Sequence, residues 1–222
     1  MNKQKLILLI TSLLIFYITN AQVGIFVGPG IGYGYHVHRG YKSRRNQPNL
    51  PPFKPYLSIS AGYGFPNLDK YQLPSFYNYY PGSASQTGPI IGSVDYRFNR
   101  NMSLGLMVTH GTVSQPYYNY NGGSNAFTGS LNNWSFMLDM INYMPVASNN
   151  IKPYLRTAIG VNSWQQNFTD NGGNNLNIPG VPSYLAYQAS LGVNFKIAGN
   201  IGIFLEAGYG KYILLGGLSF KF

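Results

Sequence analysis

The chain has 222 residues, room for one domain or one mid-sized barrel, and 9% of them are charged against 45% hydrophobic. It contains no cysteine, which excludes disulfides, a thiolate metal site and a lipidated N-terminal cysteine. The formal net charge of +10 suits anionic lipid headgroups as well as nucleic acid, but no folded basic-plus-aromatic module is present and nucleic acid is set aside.

Residues 1–22 read MNKQKLILLITSLLIFYITNAQ. Lys3 and Lys5 form a positive leader region, Leu6 to Ile18 an apolar core, and Thr19 and Ala21 the small residues before a cleavage site. The expectation is a secretory signal peptide over residues 1–21; the apolar core is short for a membrane anchor. Residues 22–54 are Gly-rich, then basic and Pro-rich, with Arg39, Lys42, Arg44, Arg45 and Lys54 and no acid. They read as an extension leading into the folded part, with folding onto a partner, an anionic surface or the barrel mouth as the sharper alternative. His36 and His38 share a strand face but lack a third ligand, so no metal site is assigned.

From residue 55 the pattern is strict alternation, as in strands with two unlike faces. Residues 55–65 put Leu57, Ile59, Ala61, Tyr63 and Phe65 on one face and small residues on the other. Residues 88–98 put Ile90, Val94, Tyr96 and Phe98 outward, with Asp95 and Arg97 inward. Residues 102–113 carry Met102, Leu104, Leu106 and Val108 outward. Residues 132–144 carry Trp134, Phe136, Leu138, Met140 and Met144 outward, with Asp139 inward. Residues 151–166 carry Leu155, Thr157, Ile159 and Val161 outward, with Arg156 and Asn162 inward. Residues 183–197 alternate from Leu185 to Ile197, and residues 201–209 turn Glu206 inward. The last strand, residues 212–222, closes the pattern with Leu218, Phe220 and Phe222 outward. There Ile213 and Leu215 fall on the inward side, so either a bulge at Gly216-Gly217 switches the faces or both side chains plug the lumen.

Eight strands result. Three short turns, at 99–101, 145–150 and 198–200, fall on one rim; three long polar loops, at 66–87, 114–131 and 167–182, fall on the other. Nearly every strand charge takes the inward parity: Asp95, Arg97, Asp139, Arg156, Lys196, Glu206 and Lys221. An Arg or Lys facing lipid near the midplane costs about 2–4 kcal/mol, and a soluble sandwich would show the reverse distribution. Outward aromatics form two expected girdles, Phe98, Phe195, Phe220 and Phe222 near the short turns and Phe65, Trp134, Tyr187, Tyr209 and Tyr212 near the loops. The fold expected is all-β, an eight-stranded antiparallel up-and-down transmembrane β-barrel over residues 55–222.

On these features the chain resembles the small outer-membrane β-barrel family, the OmpA- and OmpX-like proteins. The likeness covers about residues 54–222 and rests on the leader, strand count, loop asymmetry and the terminal GLSFKF. It implies residence in the outer membrane among outer-membrane lipid, and a terminal signal at Phe220 and Phe222 read by the barrel-assembly machinery. A barrel of eight strands has a lumen filled by side chains, whose charges must pair. If Met144 pairs with Ile151, Asp139 lies opposite Arg156; an ion pair is expected there, with Asp95, Arg97 and Glu206 in the same network. These charges read as structural, with an ion path as the alternative.

No cofactor is expected and no catalytic residue is assigned. His110, Thr112 and Ser114 alternate near the loop rim, but His110 has the outward parity and neither loop acid, Asp69 nor Asp170, is tied to it, so the reading is not an enzyme. The expected role is structural, surface-binding or interaction-based, through the long loops and an extracellular partner there, with a monomer as the expected state. The alternatives are a narrow channel or transporter, a lipid-modifying enzyme, and, outside membranes, a secreted barrel carrying a small apolar ligand.

Overall fold

The structure is a computed structural model that describes residues 53–120, 123–145, 150–178, 180 and 182–222. The leader at 1–21 and the extension through residue 52, with His36 and His38, lie outside the described residues.

Nine strands and one short 3₁₀ turn occur among the described residues. They are β1 (Tyr56–Asn67), η1 (Leu68–Gln72), β2 (Tyr79–Pro81), β3 (Ser85–Arg97), β4 (Met102–Asn119), β5 (Asn125–Tyr143), β6 (Ile151–Asp170), β7 (Leu185–Ala198), β8 (Ile201–Tyr209) and β9 (Tyr212–Lys221). Eight of them pair antiparallel with their neighbours in order, and β1 pairs with β9 to close the ring. The ninth, β2, stands outside the ring, hydrogen-bonded to the far end of β4. Closure leaves the barrel itself no free edge.

Alternation sets inside from outside. Leu104, Leu106, Phe136, Leu138, Ile159, Val161, Leu191 and Leu205 are all exposed on the outer wall, while their chain neighbours are turned into the lumen. A continuous apolar belt of this kind is unstable in water and matched to hydrocarbon. No helix among the described residues is long and apolar enough to cross a membrane; the strands are the crossing elements. The short turns are built locally. Between β3 and β4 the Asn99 side-chain oxygen accepts from the backbone N–H groups of Asn101 (2.8 Å) and Met102 (2.7 Å), an Asx turn. Between β8 and β9, Gly210 has φ +141° and a Cβ there would sit 2.1 Å from the Tyr187 carbonyl oxygen, so only glycine fits.

The structure corrects four expectations. First, the loop placed at 114–131 is mostly strand. β4, β5 and β6 contain 18, 19 and 20 residues, about twice what a crossing needs. Their far ends continue beyond the loop rim as a sheet held by a packed aromatic cluster. Tyr117, Phe127 and Phe168 are buried there, with Phe76 edge-on to Tyr117 at 5.0 Å and to Phe127 at 5.3 Å. Second, the loop at 66–87 contains η1 and β2 and ends where β3 begins, at Ser85. Third, Tyr212 is not a girdle residue: it is fully buried, its ring inside the lumen. Fourth, the face change in β9 falls at Ile213-Leu214, both exposed, with Leu215 buried. So Leu215 faces the lumen, Ile213 does not, and Gly216-Gly217 is not the switch. The other girdle aromatics stand on the outer wall, with Tyr187 and Tyr209 in ring contact at 6.4 Å.

Candidate functional site in the barrel lumen

At mid-height the lumen is organised around Arg156. Its guanidinium reaches three carboxylates: Glu206 at 3.1 Å, Asp139 at 3.2 Å and Asp95 at 3.5 Å. All four side chains are almost entirely shielded from solvent, at 4% exposure or less. The ladder that brings Asp139 to Arg156 is not the expected one. Arg156 lies opposite Ile141 and Asp139 opposite Ala158, because the first three residues of β6, Ile151 to Pro153, pair only with β7. Such stagger is the normal consequence of tilted strands. The pair therefore forms along the diagonal, a span that a long side chain such as arginine covers.

Further polar groups complete the cluster. Tyr154 donates to one Glu206 oxygen (2.7 Å), while Tyr212 (2.6 Å) and Ser190 (2.8 Å) donate to the other. Ser93 donates to Asp95 at 2.8 Å and shares a 2.6 Å hydrogen bond with Ser60. Gly105 lies where the Asp95 and Asp139 carboxylates converge; a Cβ there would come within 2.4 and 2.7 Å of their oxygens. Three carboxylates surround one guanidinium, so the fully ionised set carries two negative charges in excess.

Arg97 is not part of that set. Its guanidinium lies flat over Tyr143, 3.6 Å from the ring centre, with the Phe53 and Tyr56 rings at 5.7 Å. It donates to the Tyr56 hydroxyl (2.8 Å) and to the Asn99 and Arg100 carbonyls of the adjacent turn. Cation–π contact and turn carbonyls replace the expected carboxylate. Lys152, Lys196 and Lys221 share this short-turn end of the lumen.

The loop end is closed by residues that sequence reasoning left as loop. η1 carries Asp69 into the mouth, where it accepts from Lys211 (2.7 Å) and Asn133 (2.9 Å), all three buried. Asn133 continues to Ser135 and Asn162. Gln188 accepts from the backbone N–H of Lys211 at 2.6 Å. Burial pulls the Lys211 ammonium below the usual lysine range, and Asp69 opposes that shift. At the tip of β6, the Asp170 carboxylate accepts from the Asn174 backbone (2.8 Å) and side chain (3.0 Å), which lowers its pKa. Tyr154 was readable as inward, since it shares the parity of Arg156. Asp69 and Lys211 were not, because nothing local links residues 142 positions apart.

His110 faces outward. Its ring stacks on Trp134 at 4.3 Å and Nδ1 lies 3.1 Å from the Asn133 carbonyl oxygen. Among the described residues neither Thr112, Ser114 nor a carboxylate hydrogen-bonds it. No group of His, Asp and Glu able to hold a metal ion occurs among the described residues. Phe220 and Phe222 stand on the outer wall at the short-turn end, 38% and 70% exposed.

No protein-family model matches the chain, and no curated protein matches it. Solved structures do. The N-terminal β-barrel domain of Pseudomonas aeruginosa OprF is 15% identical with a TM-score of 0.43, over 75% of this chain and 97% of that one. Ail, the attachment invasion locus protein of Yersinia pestis, in complex with the heparin analogue sucrose octasulfate, is 14% identical with a TM-score of 0.41, over 76% and 97%. The outer membrane protein OprG from Pseudomonas aeruginosa is 9% identical with a TM-score of 0.39, over 76% and 95%. The similarity is one of fold: this chain, like these small outer-membrane barrels, closes eight antiparallel strands into a ring.

Proposed function

We propose that this protein is an integral outer-membrane barrel that conducts nothing and acts through the surface it raises above the membrane. The observation that carries the reading is the contrast between its lumen and its far rim. The lumen is filled at mid-height by Arg156 and its carboxylates and closed at the loop end by the Asp69–Lys211 pair. The far rim is extended by a rigid aromatic sheet whose edge exposes Tyr77, Tyr80 and Tyr120, with Tyr80 stacked on Tyr118 at 5.4 Å. Tyrosines held in fixed positions supply contact area at little entropic cost, which suits recognition of an extracellular partner.

In this reading the short-turn rim faces the periplasm. Phe220 and Phe222 serve as the terminal signal for the barrel-assembly machinery, and the barrel works as a monomer. The test is reconstitution into planar bilayers alongside membrane fractionation. The expected result is a detergent-extractable protein that changes gel mobility on boiling and passes no current steps. Reproducible unit conductance would overturn the reading, as would recovery in the soluble fraction without detergent.

A further inference from the structure

The short-turn mouth of the lumen holds an unbalanced charge. Arg97, Lys152, Lys196 and Lys221 come from four different strands, β3, β6, β7 and β9. Lys152 and Lys221 are half-buried, Lys196 is exposed, and each of the two half-buried lysines lies in the field of the other cations. Among the described residues no carboxylate comes within 4.0 Å of any of the three ammonium groups, and none of them donates a hydrogen bond. The Lys221 ammonium lies 6.0 Å from the centre of the Tyr56 ring.

Three of these cations, Arg97, Lys152 and Lys221, line a space. A cavity of about 30 Å³ opens at the mouth, room for about two waters. It is lined by Arg97, Lys152, Lys221, Asn194 and Ser219, with Asp95 and Arg156 at its floor. Asp95 is already engaged by Ser93 and Arg156, and Arg97 is fixed by aromatic rings and turn carbonyls. Among the described residues of the lumen the charges do not cancel. The four cations of the mouth exceed by two the surplus negative charge of the Arg156 set when fully ionised, and the Asp69–Lys211 pair is neutral. Like charges held together and half out of water are unfavourable without a counter-ion. Free phosphate or a phosphate monoester, with a charge of about −1.5 to −2 at neutral pH, matches the surplus, a phosphodiester headgroup with its single negative charge offsets part of it, and lysine ammonium groups bind phosphate as point charges.

We propose that the mouth formed by Arg97, Lys152, Lys196 and Lys221 is a binding site for a phosphate-type oxyanion. The ligand is either free phosphate or the phosphate of a lipid headgroup at the rim; the headgroup source rests on the membrane reading above, whereas the site itself does not. Lys152 and Lys221 are the principal ligands, with Lys196 at the edge and Arg97 as fixed background charge.

The test uses the full chain extracted in a maltoside detergent, which contains no phosphate. Inorganic phosphate is titrated calorimetrically at constant ionic strength, with chloride as the control. The expected result is saturable binding of one phosphate per barrel, weakened at least ten-fold in Lys152→Gln/Lys221→Gln. Retention of phosphatidylglycerol from mixed micelles, read by mass spectrometry of the intact complex, separates the sources. Phosphate binding without a retained lipid assigns free phosphate; one retained lipid that the double variant loses assigns a headgroup. Absence of both overturns the proposal, as does wild-type binding by the double variant. The boiling-dependent gel shift verifies that the variant is folded, and single Lys221→Gln replaces it if it is not.

Discussion

Replacing Arg156 with methionine removes the one cation that three buried carboxylates share. The side chain contacts Glu206, Asp139 and Asp95 at 3.1, 3.2 and 3.5 Å, and none of the four groups is more than 4% exposed. Breaking a buried pair from one side typically costs about 3–5 kcal/mol, because the charge left behind stays out of water. Here three are left behind, so the single substitution is expected at or above the upper end of that range. The assay is urea unfolding of the barrel in detergent or vesicles, followed by fluorescence of Trp134 and Trp164 and by the boiling-dependent gel shift. The companion variant adds Asp95→Asn, Asp139→Asn and Glu206→Gln to Arg156→Met. With no charge left to strand, it should recover most of the loss, a strong departure from additivity among contacting residues. A loss under about 1 kcal/mol for Arg156→Met would refute the reasoning, because pairs of that strength behave as solvated. So would a fourfold variant that is less stable than the single one by the sum of its parts.

Two further outcomes follow from the same geometry. Tyr154→Phe and Tyr212→Phe each remove one donor to Glu206 and should each cost about 1.5–3 kcal/mol, the range for hydrogen bonds to charged groups; an unchanged urea midpoint in both would show that Glu206 is not held as described. Burial lowers the Lys211 pKa, so the folded state holds that proton less tightly than the unfolded chain. Its contribution to stability is therefore full above the unfolded value of about 10.4 and lost as pH falls through the folded value. The stability difference between wild type and Lys211→Met should move in favour of wild type as pH rises toward that value, and a pH-independent difference would contradict it.

Much of the barrel was legible because a strand puts two environments on alternate residues. In β3 the run from Ile90 to Arg97 separates lipid-facing Val94 and Tyr96 from lumen-facing Asp95 and Arg97 with no ambiguity, and a misplaced charge would be costly enough to make the parity reliable. The same logic fails above the membrane. The stretches Gln115 to Tyr118 and Asn125 to Thr128 lost their apolar alternation because lipid no longer covers one face, so they read as polar loop although they are paired strand. It fails again where a strand changes face. Exposure of both Ile213 and Leu214 is a property of the backbone that neither side chain announces, and it turned Tyr212 from an expected girdle residue into a ligand of Glu206. Register across a turn was the third gap. Residues 144–150 do not reveal that the β5–β6 register is displaced by two residues, with Tyr143 opposite Tyr154, so the Asp139–Arg156 contact was sought straight across when the ladder sets it on the diagonal.

Tyr212 shows how the lumen divides. Its hydroxyl donates to Glu206 in the central cluster, while its backbone N–H and carbonyl meet Gln188, which also holds the Lys211 backbone beside Asp69. It is thus a side-chain and backbone bridge between the mid-height charges and the plug at the loop end. Among the described residues no comparable one joins the central cluster to the lysines of the opposite mouth; there Arg97 is turned aside onto Tyr143, and no carboxylate pairs with Lys152 or Lys221. One end of the lumen is therefore satisfied internally, and the other is left with charge to offer. A polar interior sealed from one side only leaves chemistry for its open mouth, and the sealed side is the one that carries the aromatic projection. As proposed, the two rims recognise different things, an anion on one and a partner of the exposed tyrosines on the other, with the ion-paired lumen between them.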